Sequence, residues 1–311
     1  MFFSKKWNPD GLHVYIPGGS SGLGLALAIL MVQKGAHVSI VARGQDRLDK
    51  ALVEMQNYRQ NPAQKLNAYS FGLNSAAEAS KALEAVCEAH EGHSPDAVFA
   101  CAGASKPMFF VEMTEEDLTQ GMDSGYWVQA WTAWAAVRMM VRQQRKGKIA
   151  LVSSTLGYIS YTGYASYSPA KQALRGLADT LHSECMLYGI DVHIFFPPTM
   201  KTDGYIEEMK TKPDITTEIE AKDEGLTTEQ AALAMFTGIQ NNQAHITGEW
   251  ITNTFRCCTR GAVPGNNWFI DKLIDISSWV IVPIFRMEHD GMLKRHRASH
   301  QEYLRSKGFF S

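Results

Sequence analysis

Tyr167 and Lys171 stand four residues apart in Tyr167-Ser-Pro-Ala-Lys171, and two hydroxyls, Ser153 and Ser154, end an apolar run just upstream. In a helix, positions i and i+4 share a face because one turn takes about 3.6 residues. Pro169 lies between the two and is accepted in a first turn but not in an interior, so the helix must begin here. A phenol and an ammonium then sit side by side at a helix mouth, facing a loop with two hydroxyls. A free tyrosine titrates at about 10, and a neighbouring cation is expected to lower that value by favouring the phenolate. Such a phenol exchanges a proton with a substrate oxygen near neutral pH, while a serine hydroxyl beside it hydrogen-bonds the same oxygen. A lone Tyr-x-x-x-Lys is common, and a core aromatic next to a solvated lysine is the competing reading. The elements around the pair must decide.

Leu12–Ile16 reads as a short strand that runs straight into Pro17-Gly-Gly-Ser-Ser-Gly-Leu-Gly24. A helical apolar pattern follows at Leu25, Ala28, Ile29 and Val32, and Gly35 closes it. Strand, glycine loop and helix form the context of a dinucleotide-binding turn. Gly18, Gly22 and Gly24, with Ser20 and Ser21 between them, let the backbone approach a pyrophosphate against the N–H groups of the helix. A second strand, Ala36–Ala42, ends without the acidic residue that would bond a ribose 2′-hydroxyl and repel a 2′-phosphate. Arg43, Arg47 and Ser20 instead suit a phosphate, which favours NADPH over NADH. The alternative is two ordinary surface arginines.

Further strands are expected at Asn67–Phe71, at Asp96–Gly103, which ends in the small residues Cys101-Ala102-Gly103, at 148–152 and at Asp191–Phe196. Helices are expected over 46–60, 75–90, after the cap-like Thr114-Glu-Glu-Asp117, and over about 168–188. His245-Ile-Thr-Gly248 reads as a turn into a last strand near Trp250–Thr252. Trp127, Trp131 and Trp134 suit packing or subunit contact. The alternation predicts an α/β fold, a Rossmann-type, doubly wound, mainly parallel sheet with helices on both faces. Ligands in such sheets bind beyond the carboxyl ends of the strands. The glycine loop, Arg43, the Cys-Ala-Gly turn, Ser154 and Thr202 all fall just after strands.

With Gly18-x-x-x-Gly22-x-Gly24, Cys101-Ala-Gly103, Ser153-Ser154 and Tyr167-x-x-x-Lys171 in place, residues 10–255 resemble the short-chain dehydrogenase/reductases. The resemblance implies that Tyr167 is the proton donor in carbonyl reduction, that Lys171 lowers its pKa and holds the nicotinamide ribose, and that Ser154 polarises the carbonyl. Ser153 is the fallback, since strand alternation lets only one of the pair face substrate. It also assigns cofactor contacts to the Leu73 backbone, Ala102, Gly103 and Thr202. The run from Ser153 to Leu181 and Phe195-Phe-Pro-Pro-Thr-Met-Lys-Thr-Asp-Gly-Tyr205 are similar, more narrowly, to the 3-ketodihydrosphingosine (3-dehydrosphinganine) reductases. That group implies NADPH-dependent reduction of a long-chain keto-sphingoid lipid at the cytosolic face of the endoplasmic reticulum membrane, and family members commonly form homo-oligomers. Three departures stand out. Gly125 occupies the place of a proton-relay Asn, Pro17 replaces a usual Thr, and Gly72 replaces an adenine-contacting Asp. Competing readings are a reductase of a steroid, retinoid or fatty acyl ketone and a non-catalytic NADP-binding scaffold at a membrane.

The composition is that of a globular protein with a core: 311 residues, 45% hydrophobic and 20% charged, with a net charge of -2 that argues against nucleic acid. Five cysteines without zinc-type spacing read as reduced thiols in a cytosolic setting, the Cys257–Cys258 pair as structural, and the scattered histidines suggest no metal. The segment Met1–Gly11 has no apolar run of signal-peptide length. Residues 1–255 are expected to form the catalytic NADP-binding domain, with the charged and nearly featureless 203–228 as a candidate substrate lid. Residues 256–311 form a C-terminal amphipathic and basic extension. There Phe269, Leu273, Ile276, Val280 and Ile284 make an apolar stripe opposite Asp271, Asp275 and Ser278. Two aspartates, a lysine and Pro283 argue against a span, so the element is expected to lie in a membrane interface, with Lys294, Arg295, Arg297, Arg305 and Lys307 near anionic headgroups. The alternative is that the stripe packs on the domain or a second subunit.

Overall fold

Seven short apolar segments pair in one direction only. They are β1 (His13–Pro17), β2 (His37–Ala42), β3 (Leu66–Ser70), β4 (Ala97–Ala100), β5 (Gly147–Val152), β6 (Ile190–Phe196) and β7 (His245–Thr247). The computed structural model describes residues 6–310 except Lys222. Met1–Lys5 of the N-terminal segment, Lys222 of the candidate lid and Ser311 lie outside the described residues. The strands form a parallel sheet in the order β3-β2-β1-β4-β5-β6-β7. Its central strands are apolar at nearly every position because both faces are covered. One face packs under α1 (Gly22–Gln33), α2 (Gln45–Gln56) and a later helix, α9, with Leu27, Met31 and Leu48 against Ile16, Ile40 and Phe99. The other packs under α3 (Ala76–Glu88), α5 and α6, with Leu83, Met140 and Leu174 against Val98, Leu151 and Ile194. The chain leaves β1 toward β2 on one side and reaches β4 on the other, so a crevice opens beyond the carboxyl ends of β1 and β4.

The helix entering that crevice region from below starts at a full capping box: Thr114 accepts from the Asp117 N–H, and Asp117 accepts from the Thr114 N–H. This is α4 (Glu115–Met122), joined through a wide helical turn at Asp123–Trp127 to α5 (Val128–Arg142). Helix α6 runs Tyr167–Glu184 and continues as a tight turn over Cys185–Tyr188, ended by Gly189 at φ 67°. Pro169 therefore falls in a first turn.

Two segments differ from expectation. The last strand is β7, at His245–Thr247, and Trp250–Thr259 is helix α10; its four consecutive buried residues, Thr254 to Cys257, break the alternation a strand would show. Residues 203–228 are not featureless. They form α7 (Asp203–Met209), capped by the Thr202 hydroxyl, and α8 (Asp214–Glu220), before Thr227 caps α9 (Thr228–Gln240). Short charged helices carry too little apolar periodicity to be read from sequence. What orders these two is a buried Lys212 between them, whose Nζ lies 2.7 Å from both Glu208 Oε1 and Glu220 Oε2.

The C-terminal extension begins inside α10 and consists mainly of one long helix, α11 (Trp268–Ser306), continuous through Pro283. It packs on the domain with its polar side inward. Asp271 is buried and accepts from Arg256 at 2.5 and 3.0 Å and from Arg260 at 2.8 Å. Ser278 and His289 are also buried, and His289 stacks on Tyr161. The apolar stripe faces away: Phe269, Leu273, Ile276, Val280 and Ile284 are exposed, and Trp268 and Trp279 are 82% and 81% exposed. No helix among the described residues is long and apolar enough to cross a membrane.

Removing one partner of a buried ion pair leaves the other charge uncompensated, at a cost of about 3–5 kcal/mol. Asp271→Asn should therefore lower the denaturation midpoint clearly, with two guanidinium groups stranded. An unchanged midpoint in urea would mean that this pair does not hold α11 to the domain.

Candidate active site

Glycine is required at two points of the first loop because backbone runs against backbone. Gly18 has φ 82°, and a Cβ there would stand 2.5 Å from the Ala102 nitrogen; one on Gly24 would stand 2.2 Å from the Gly18 oxygen. The β1–α1 loop is thereby folded down against the end of β4. Ser21 makes no side-chain cap on α1 and the first turn carries no acid, so its N–H groups stay available to an anion. Ser20, Ser21, Gly22 and Gly24 line one large cavity of about 1820 Å3 together with Arg43, Arg47, Leu73, Ala102, Gly103 and Thr202. Thr202 reaches the loop directly: a Cβ on Gly22 would meet its methyl at 3.3 Å. Every residue expected at a dinucleotide thus borders a single space, and the cradle of N–H groups with arginines beyond it fits a pyrophosphate and an adenosine phosphate. Gly72 cannot take a larger residue without displacing Glu78, whose carboxylate a Cβ would meet at 2.8 Å.

Ser153, Ser154, Tyr167 and Lys171 border the same cavity. The two serines separate by role. Ser153 is buried and its hydroxyl donates to the Lys171 carbonyl at 3.0 Å, tying β5 to α6. Ser154 lies outside the strand, where its hydroxyl accepts from the Leu156 N–H at 3.2 Å and also hydrogen-bonds Tyr167. Lys171 is only 3% exposed, and its ammonium donates to the Val152 carbonyl at 2.9 Å, 5.4 Å from the Tyr167 ring centre.

The expected lowering of the phenol does not occur. Burial holds Tyr167 above its ordinary value, the charge of Glu208 adds to this, and only the Ser154 hydrogen bond opposes it. Lys171 directs its proton to the backbone, and burial draws its own pKa down to about 8. The phenol is accordingly a stored proton, suited to donation to a forming alkoxide.

Gly125 has a steric reason. It lies in the wide turn before α5, and a Cβ there would meet the Ala170 Cβ at 2.6 Å, so no asparagine fits while α6 keeps its place. One helical turn on, Gln129 supplies an amide that the sequence reading missed. Its Nε2 donates to the Val152 carbonyl and its Oε1 accepts from the Val152 N–H, both at 2.8 Å. Gln129 and Lys171 thus share one carbonyl. A single amide inside a Trp- and Ala-rich helix was the available signal. Glu208 and Tyr164 were missed too; the Tyr164 hydroxyl donates to Glu208 at 2.6 Å, and the Tyr164 and Tyr167 ring centres are 5.9 Å apart.

The family model for short chain dehydrogenases matches residues 12–213. This chain belongs to the short-chain dehydrogenases. A 3-ketodihydrosphingosine reductase of Cryptococcus neoformans var. neoformans is 42% identical over 309 residues, covering 99% of this chain and 92% of the relative. One from Aspergillus fumigatus is 33% identical over 300 residues, covering 89% and 81%. A 3-dehydrosphinganine reductase of Danio rerio is 35% identical over 210 residues, covering 67% and 62%. Among solved structures, a short-chain type dehydrogenase/reductase from Mycobacterium ulcerans superposes with a TM-score of 0.68 at 20% identity, covering 78% of this chain and 89% of its own. This likeness is one of fold. As a short-chain dehydrogenase the protein is an oxidoreductase that uses a nicotinamide cofactor, and the residues around the cavity fit one.

Because the Lys171 pKa is drawn down to about 8, its charge is mostly present at neutral pH and is lost as pH rises through that value. In kcat/KM for the cofactor, which reports the free enzyme, activity should be level near neutrality and fall through a one-proton limb near pH 8. A profile flat through pH 8 that fell only in the ordinary lysine range would show that burial does not draw this ammonium down.

Proposed function

We propose that this short-chain dehydrogenase is an NADPH-dependent reductase that converts 3-ketodihydrosphingosine to dihydrosphingosine in sphingolipid synthesis. The observation that carries the reading is a phenol, a hydroxyl and a buried ammonium, those of Tyr167, Ser154 and Lys171, on one cavity that also meets the cradle of the β1–α1 loop. The end-to-end likeness to 3-ketodihydrosphingosine reductases supports the substrate. NADPH when bound supplies the hydride. The cradle at Gly18, Ser20, Ser21, Gly22 and Gly24 would hold its pyrophosphate, Arg43 and Arg47 its 2′-phosphate, and Lys171 its ribose hydroxyls. Ser154 hydrogen-bonds the ketone oxygen, Tyr167 gives that oxygen its proton, and Lys171 places positive charge beside the phenolate that remains. Gln129 keeps the Val152 carbonyl in position for Lys171.

The same reading places the protein on the cytosolic face of the endoplasmic reticulum membrane, with α11 lying in the interface. Support comes from the orientation of that helix, which keeps Asp271 and Ser278 on the domain and leaves Trp268, Ile276, Trp279 and Val280 outside. Phe285, Glu288, His289 and Met292 of α11 and Trp250 of α10 border the cavity, so the helix that carries the stripe also lines the site. Exposed Trp127 and Trp134 on the α5 side suit contact between copies in a homo-oligomer.

Purified protein should oxidise NADPH with 3-ketodihydrosphingosine in detergent far faster than NADH, and Tyr167→Phe should lower kcat by at least about 100-fold while leaving NADPH affinity within twofold. Turnover of a steroid ketone alone would remove the sphingoid assignment, and full activity in the variant would remove the proton donor. In a second experiment, Ile276→Glu with Val280→Glu should reduce cosedimentation with phosphatidylserine-containing vesicles by roughly tenfold or more, since each buried aliphatic side chain contributes about 1.5–3 kcal/mol. Undiminished vesicle binding would rule out the stripe as the contact.

A further inference from the structure

A 3-ketodihydrosphingosine carries an amine on the carbon next to its carbonyl, protonated at neutral pH. What separates it from other long-chain ketones is therefore a cation one carbon from the reacting centre. A site selective for it needs a counter-ion beside Tyr167. The lid provides one. Glu208 on α7 accepts from the Tyr164 hydroxyl, the Tyr164 ring is the neighbour of the Tyr167 ring, and all three residues border the cavity.

A second observation is independent of the substrate. This corner already holds an ammonium. Lys212, with a side chain 1% exposed, sets its Nζ 2.7 Å from Glu208 Oε1 and 2.7 Å from Glu220 Oε2, and 4.9 and 5.7 Å from the ring centres of Tyr205 and Tyr164. Two carboxylates and two aromatic faces are the surroundings an alkylammonium prefers over water. Among the described residues one lysine faces two glutamates here, so by formal charge one carboxylate is left unmatched. The bonds from Tyr164 and Lys212 both fall on Oε1 of Glu208, which leaves lone pairs on Oε2 for another donor. The cavity lining takes Arg43 and Arg47 from the segment after β2, and Glu208, Glu220, Asp223 and Glu249 from the lid and the start of α10.

We propose that Glu208 is the specificity residue of this reductase, pairing with the substrate's ammonium while Tyr167 meets the adjacent carbonyl oxygen. The inference rests on the keto-sphingoid reading above and adds the group that recognises the amine. Lys212 and Glu220 are positioning residues: their ion pair fixes α7 against α8 and holds the Glu208 carboxylate toward its neighbours. A neutral ketone of equal chain length would cover Glu208 Oε2 without giving it a donor, which penalises that ketone.

The test compares kcat/KM for 3-ketodihydrosphingosine with that for the same hydroxy ketone lacking the amine, in the unaltered protein and in Glu208→Gln. The unaltered protein should prefer the amino ketone, and Glu208→Gln should lose roughly 100-fold of that preference, the scale of a buried charge-assisted contact. Equal losses on both ketones would overturn the proposal and leave Glu208 as a lid clamp. A second measurement needs no variant: dihydrosphingosine should inhibit the unaltered protein at least about tenfold more tightly than the same diol without its amine. Equal inhibition would overturn the proposal even if Glu208→Gln failed to fold. If the unaltered protein turned over neither ketone, the substrate reading would fall, while the inhibition pair would still decide whether this corner selects an ammonium.

Discussion

A lysine ammonium held out of water next to a phenol is the constraint on which the site depends. Lys171 keeps its charge at neutral pH because its proton has a fixed acceptor, the carbonyl of Val152 at the end of β5. That carbonyl is in turn held by Gln129 from α5, which also engages the Val152 N–H. Ser153 closes the circuit by bonding the Lys171 carbonyl from the strand side. Three elements therefore meet at one peptide group, and a shift of any of them would strand a buried donor or acceptor, a loss of about 1–3 kcal/mol for each. The tight seat of Gly125 on Ala170 belongs to the same packing, since it brings the turn before α5 onto the first turn of α6.

Around this fixed point the cavity lining carries both signs of charge. The dinucleotide cradle offers backbone N–H groups and two arginines, suited to phosphates. The lid and its neighbours offer carboxylates and phenols. An anionic cofactor and a cationic lipid base would each meet complementary charge, and each would meet repulsion if it sat among the other's groups. Burial among the lid carboxylates also explains why Tyr161, Tyr164 and Tyr167 all hold their protons more tightly than a free phenol.

The C-terminal helix reverses the usual arrangement of an amphipathic element. Its aspartate and histidine face the domain because they find partners there: Arg256 and Arg260 for Asp271, and Tyr161 for His289. The aromatic and aliphatic residues left outside make an apolar surface of a kind that monomeric proteins in water rarely leave uncovered. Phe285 turns inward near Pro283 to meet Phe255 and Tyr161, joining the outer stripe to the interior.

The sheet, its helices and the dinucleotide loop were legible in the sequence because their signals are local. Strand-length apolar runs, glycines whose φ or contacts forbid a side chain, and a proline confined to a first turn each act within a few residues. Tyr167, Lys171 and the cavity-lining residues from Gly18 to Thr202 followed from that frame. What local signals could not carry was left to the tertiary structure. The helices of 203–228 exist because Lys212 bridges two glutamates eight or fewer residues away in sequence yet buried only once α8 packs. Gln129 has no motif, and its role arises from the approach of α5 to β5. The phenol's pKa went against the Tyr–Lys spacing because burial and Glu208 act through space, and because Lys171 spends its proton on a carbonyl rather than on the ring's oxygen. The pattern of α11 established that it has two faces; which one turns inward was decided by Arg256, a partner twelve or more residues away that only the folded chain brings to Asp271.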